Sequence, residues 1–119
     1  MSNTWFFHSH AHYSDPRFLE DQEALLTSMA DHGIRRIMNI GCCEQSSHDS
    51  IALAEKYDFI YATVGSHPDS ADEVDDRLID VYRKLAAHPK VVGIGEIGLD
   101  YYYETIPRKR QQEAFVRQL

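Results

Sequence analysis

Four short apolar runs recur along the chain, each followed by a segment whose apolar positions have helical spacing. Trp5-Phe6-Phe7-His8, Ile34 to Ile40, Phe59 to Val64 and Val91 to Gly95 read as strands, rich in β-branched and aromatic residues. Leu19, Ala24, Leu25, Leu26 and Met29 predict a helix over Phe18 to His32, stopped by Gly33. Ser46 and Ser47 read as caps for a helix from about His48 to Tyr57, buried through Ile51, Leu53 and Ala54. Asp75 opens a helix with Leu78, Ile79, Tyr82, Leu85 and Ala86 on one face, ended at His88-Pro89, and a last helix runs from Arg108 to Leu119 behind Pro107. Strands alternating with helices require crossover connections, which are right-handed and give a parallel sheet. The pattern therefore predicts an α/β fold, open or barrel-like, with every strand presenting its carboxyl end on the same side.

Residues 1–119 suffice for one domain, and 43% apolar content supports a core. Lys and Arg number 12 against 19 Asp and Glu, a formal charge of −7, which argues against a general basic footprint for nucleic acid. It does not exclude an enzyme that meets phosphates through bound cations, whose charge the sequence count omits. Cys42 and Cys43 are adjacent, a geometry too strained for a structural disulfide, and read as packing residues rather than metal ligands. No apolar run approaches the ~20 residues of a membrane span, and Met1-Ser2-Asn3-Thr4 lacks signal-peptide character. A soluble cytoplasmic protein without a membrane partner is expected.

The residues with most chemical content fall at strand ends. In an extended segment side chains alternate, so His10 and His12 share a side, and His8 is expected there too as a further ligand or a support. Glu96 follows the fourth strand between Gly95 and Gly98, and a carboxylate flanked by Val91, Val92 and Ile94 needs a partner. Two imidazoles and a carboxylate suit a hydrolytic metal. Each residue also has a plainer reading: histidines packed or solvated, Glu96 paired with an arginine or capping a helix. His67, fixed beside Pro68 after the third strand, either faces the same mouth or packs. Asp100 reads as a backbone cap or a substrate contact. Convergence of positions 10, 12, 67 and 96 on one edge favours the metal reading.

His8-Ser9-His10-Ala11-His12-Tyr13, Val64-Gly65-Ser66-His67-Pro68 and Gly95-Glu96-Ile97-Gly98-Leu99-Asp100-Tyr101, with Pro107-Arg108 and Gln111 beyond, resemble the amino-terminal half of the TatD family of metal-dependent deoxyribonucleases. The resemblance extends over essentially the whole chain. The glutamate motif is specific, whereas His-x-His alone is shared with the wider amidohydrolase-like superfamily. The resemblance implies four βα units forming the amino-terminal half of a TIM (β/α)8 barrel. It also implies one or two divalent ions (Mg, Mn or Zn) and hydrolysis of phosphodiester bonds, with DNA as substrate. By it, His10, His12 and Glu96 are metal ligands, while His67 and Arg108 meet substrate. Two further histidines and an aspartate of the family, the aspartate its expected general base, have no counterpart here. This implies a truncated, weakly active or inactive form.

Two departures stand out: the family usually has Asp where this chain has His8, and His where it has Asp69. Two other classes compete, a non-catalytic half-barrel that binds a partner, and an amidohydrolase-like enzyme cleaving esters or amides, such as an aminoacyl group on tRNA. Glu96 in its glycine-flanked turn favours the nuclease over the latter. A half-barrel also leaves two open sheet edges, through which self-association is expected. Trp5, Phe7, Ile37, Val64, Val92 and Ile94 are expected near its uncovered inward face.

Overall fold

A computed structural model describes residues 4–119; Met1, Ser2 and Asn3, part of the start read above for signal-peptide character, lie outside the described residues. Four strands, β1 (Phe6–Ala11), β2 (Ile34–Asn39), β3 (Ile60–Val64) and β4 (Val91–Ile94), form one sheet. Each pairs in parallel with the next, in the order β1-β2-β3-β4. Every crossover thus moves the chain the same way across the sheet, and right-handed crossovers of one sense put all the helices on one face. A doubly wound sheet, which reverses direction, is excluded.

The helices are α1 (Gln22–Ser28), α2 (Glu44–Lys56), α3 (Asp76–Ala86) and α4 (Arg108–Gln118). Their inner faces build the core: Leu26, Ile51, Leu53, Ala54, Leu78 and Tyr82 pack on Ala11, Ile37, Ile60, Ala62 and Val64. A smaller cluster, Ala71, Val74, Ile106 and Ala114, seats α4. Asn39 faces this layer and is wholly buried, yet its side chain accepts from Tyr13 N at 2.7 Å and donates to Ser14 Oγ at 2.9 Å and Ser50 Oγ at 2.8 Å. Satisfied on three sides, it fastens the loop after β1 to α2. Among the described residues no helix is long and apolar enough to cross a membrane.

Local signals set some element ends and not others. Gly33 ends the first helical region at φ 79°, and the Asp75 carboxylate caps α3 by accepting from Leu78 N at 2.8 Å. The expected helix over Phe18 to His32 is instead a 3-10 turn at Pro16–Phe18, the short α1, and another 3-10 turn at Met29–His32. Asp15 accepts from Arg17 N at 2.9 Å, and Pro16 sits at the first position, so an independent turn starts and finishes before α1. The second helix begins four residues earlier than expected, with Cys43 as its cap. Ser46 is the returning half of a capping box: its hydroxyl accepts from Cys42 N at 2.7 Å and Cys43 N at 3.0 Å.

The expected inward face needs correction at three residues. Ile37 and Val64 are completely buried against the helices. Ile94 pairs with Val64 in register, shares its face, and lines a groove between α3 and α4. Trp5, Phe7 and Val92 are exposed, about half of each being accessible. Register irregularities in β1 and between β3 and β4 shift the alternation that pattern reading assumes. β1 and β4 are the sheet's open edges.

The ends of β2 and β3 meet α2 at Gly41. A Cβ there would lie 2.5 Å from Ser47 Oγ and 2.8 Å from the Thr63 carbonyl oxygen, whereas one on Gly93 would touch only Thr63 Cγ2 at 3.5 Å. Gly41→Ala should lower stability by about 1–3 kcal/mol through overpacking, and Gly93→Ala by much less. Urea unfolding of the two variants checks this; equal midpoints would contradict the packing.

Candidate metal centre

β1 delivers its histidines through an irregular end. Its pairing with β2 slips between His8 and Ala11, so simple alternation fails there. His8 pairs in register with Ile37, a helix-facing core residue, and its Nδ1 lies 3.1 Å from the Tyr13 hydroxyl. The expectation that His8 shares a side with His10 and His12 is thereby corrected: it supports Tyr13, not the centre. Ala11 packs into the core, and the Ile40 amide bonds its carbonyl at 2.8 Å, which fixes the segment between the two histidines.

Glu96 is fixed through its backbone. Gly95 N donates to Val64 O at 2.9 Å, Thr63 Oγ1 donates to Gly95 O at 2.8 Å, and Glu96 N donates to Gly41 O. The end of β4 is thus tied to β3 and, past it, to the end of β2. That displacement carries the carboxylate over the sheet's upper edge toward β1.

There His10, His12 and Glu96 each offer one ligand atom, all within 4.8 Å of one another. His10 Nε2 is 3.1 Å from His12 Nε2 and 3.3 Å from Glu96 Oε2. Two donors bound tetrahedrally at about 2.0–2.1 Å to one zinc-sized ion stand roughly 3.3 Å apart, so the donor set fits a single divalent cation. The His10 side chain is 53% exposed and that of Glu96 33%, leaving the group open to a ligand on one side.

His67 joins them: its Nε2 is 3.7 Å from Glu96 Oε1. Its other nitrogen is engaged by Asp69, with Nδ1 2.9 Å from Asp69 Oδ1 and 3.1 Å from Asp69 N, so the ring turns its Nε2 edge to the mouth. Asp69, one of the two departures, thus serves to orient His67. Arg108 is not brought to this cluster. It pairs with Glu104 and lies 4.5 Å over the Tyr101 ring, and Glu104 holds its guanidinium pKa above the usual range. Asp100 acts as a backbone cap, accepting from Tyr102 N at 3.0 Å and Tyr103 N at 3.4 Å.

Sequence reasoning missed Cys42. Both cysteines are free, as expected, but Cys42 Sγ lies 3.9 Å from His12 Nδ1 and 3.9 Å from Glu96 Oε2. It follows Gly41 at the end of β2, the one strand end from which no site residue was drawn, and that position was the available signal. Burial, then the charge of Glu96, pushes its thiol up to about 12.

The family model described as TatD related DNase matches residues 7–119. The chain belongs to the TatD family. It is 34% identical over 113 residues to the metal-dependent hydrolase YabD of Bacillus subtilis strain 168, which covers 95% of the chain and 44% of YabD. It is 30% identical over 103 residues to the 3'-5' ssDNA/RNA exonuclease TatD of Escherichia coli K12, covering 87% of the chain and 40% of that protein. The crystal structure of the TatD homologue YjjV from Escherichia coli K12 superposes with a TM-score of 0.81 at 31% identity, over 95% of the chain and 44% of YjjV. The chain thus spans less than half the length of these relatives, and its four βα units are a half-barrel of the TatD-type TIM barrel.

In EDTA, Cys42 should stay a neutral thiol through neutral pH, because its raised pKa disfavours the thiolate. Its alkylation rate should therefore climb only toward pH 12. Below the ordinary thiol pKa folded and unfolded chains hold this proton equally; above it the unfolded chain loses the proton first, so Cys42's contribution to stability falls with rising pH up to about 12. Glu96→Gln should move the alkylation profile to lower pH. Mass-resolved labelling against pH checks both, and an unmoved profile would detach Cys42 from Glu96.

Proposed function

We propose that this chain carries the metal-binding half of a phosphodiesterase that hydrolyses nucleic acid, with DNA as substrate. The observation that supports it best is the convergence of His10, His12 and Glu96 at the spacing of one ion's ligands, beside His67. That the E. coli relative is a 3'-5' ssDNA/RNA exonuclease supports nucleic acid over other esters. His10, His12 and Glu96 hold one or two divalent ions, magnesium, manganese or zinc. A divalent ion so held supplies positive charge to phosphate oxygens and acidifies water, the two needs of hydrolysis near neutral pH.

The chain's own groups orient the mouth. Glu96 presents Oε2 to His10 and Oε1 to His67, so one carboxylate spans the metal side and the substrate side of the mouth. His67, with Nδ1 committed to Asp69, offers Nε2 to a phosphate oxygen. Arg108 meets substrate by exchanging the Glu104 carboxylate for a phosphate, a trade between two anions of similar geometry. None of the described residues is assigned the role of general base.

Calorimetric titration with zinc and with manganese tests the ligand assignment without any need for turnover. His10→Ala with His12→Ala, and separately Glu96→Gln, should weaken binding about tenfold or more, since even supporting residues around a metal cost 10–100-fold when lost. Any residual hydrolysis of bis(p-nitrophenyl) phosphate, a phosphodiester without a base, should fall with it, while p-nitrophenyl acetate reports any esterase. Unaltered affinity in the double variant would remove the histidines from the centre.

A further inference from the structure

The loop that leaves β4 beyond Glu96 exposes Tyr102 and Tyr103, 86% and 75% accessible, and neither belongs to an apolar cluster. Their rings meet edge to face with centroids 4.8 Å apart. Among the described residues, core packing does not account for two adjacent exposed aromatics. Yet the loop is firmly built. Gln111 of α4, 2% exposed, accepts from Asp100 N at 2.8 Å and donates to the Asp100 and Ile106 carbonyls, both at 2.9 Å. The Asp100 carboxylate then holds the amides of both tyrosines, and Glu104 closes the turn at φ 46°.

Beside this loop α4 opens with Arg108-Lys109-Arg110. Arg110 turns inward, donating to Val74 O at 2.6 Å and pairing with Asp72, which leaves Arg108, paired with Glu104 in the same loop, and Lys109 on the outside. Lys109 is the most exposed of them, its side chain 87% accessible. Two presented aromatic rings next to the outward cations Arg108 and Lys109 form the pairing that single-stranded nucleic acid selects: bases stack on the rings and the backbone follows the cations. A duplex hides its base faces in its own stack, so unpaired bases are the occupants that fit.

Building on the nucleic-acid reading above, we propose that Tyr102 and Tyr103 form a base-stacking subsite for unpaired nucleotides of the substrate, with Arg108 and Lys109 flanking it against phosphates. The prior fixing of the loop by Asp100 and Gln111 lowers the ordering cost of binding.

Fluorescence anisotropy of the 119-residue chain in EDTA, where no cleavage occurs, compares a labelled twelve-nucleotide oligothymidylate with an abasic strand of equal length. The base-bearing strand should bind about tenfold tighter or more. Tyr102→Ala with Tyr103→Ala should abolish that preference and leave binding of the abasic strand unchanged, whereas Tyr102→Phe with Tyr103→Phe should keep it, because stacking needs the ring and not the hydroxyl. Equal binding of the two strands by the native chain, binding of neither, or a preference that survives loss of both rings overturns the proposal. So does sedimentation showing a concentration-dependent dimer that the double alanine variant abolishes, since the rings would then belong to a second copy of the chain. Calorimetric binding of zinc, which the tyrosines do not touch, should be unchanged by the tyrosine variants. Absence of zinc binding in the native chain would count against the metal reading of His10, His12 and Glu96, while the base preference stood or fell separately.

Discussion

The bond from the Glu96 amide to the Gly41 carbonyl joins the end of β4 to the end of β2, across β3. In a parallel sheet adjacent strands lie ~4.8 Å apart, so residues on β1 and β4 are separated by three such steps unless the strand ends fold inward. They do so here because two glycines permit it. A Cβ at Gly41 would collide with Ser47 and Thr63, and one at Gly65 would sit 3.0 Å from Ile97 Cγ2 and 3.1 Å from the Gly95 backbone. With both positions bare, the turn after β4 lies down over the sheet's edge and Glu96 reaches the histidines of β1. The donor cluster depends on this approach before it depends on any ligand.

Buried polar groups hold the surrounding loops to single positions. An unpaired buried donor or acceptor costs about 1–3 kcal/mol, so a network that satisfies every member admits few alternatives. Behind His67, the Ser66 hydroxyl lies 2.5 Å from Glu73 Oε1 and 2.6 Å from the Tyr82 hydroxyl, and Gln118 pairs with both the amide and the carbonyl of Ser66. β3, α3 and α4 are thereby joined immediately behind the residue that faces Glu96. Burial pushes the Tyr82 hydroxyl's pKa well above its usual range, so it remains a protonated member of that network.

The two departures from the family pattern acquire a physical account. His8 lies on the helix side of the sheet, where Tyr13 receives it, and so stands apart from the cluster it precedes in sequence. Asp69 places a carboxylate behind His67 and fixes which nitrogen faces the mouth. The acidic total charge likewise omits local order, since Arg108 and Lys109 stand together on the outside of α4's start beside exposed tyrosines.

Sequence alone determined the element order, the parallel α/β class and the strand ends that carry His10, His12, His67 and Glu96. Those features follow from periodicity and from residue types that are local to each segment. Asp75 and Gly33 were legible for the same reason, each acting within a turn of itself. What sequence could not supply depended on register. Slips in β1 and between β3 and β4 moved His8 and Ile94 to the helix side, and a one-residue shift reverses every side chain beyond it. Cys42 was read as packing because its neighbours in space, His12 and Glu96, lie 30 and 54 residues away along the chain. Arg108 was assigned to substrate from its motif, whereas its present partner, Glu104, was set by the turn that Gln111 staples to α4. The tertiary structure decided which strand-end residues meet, because meeting requires the β4 turn to cross the sheet, and no local pattern encodes that crossing.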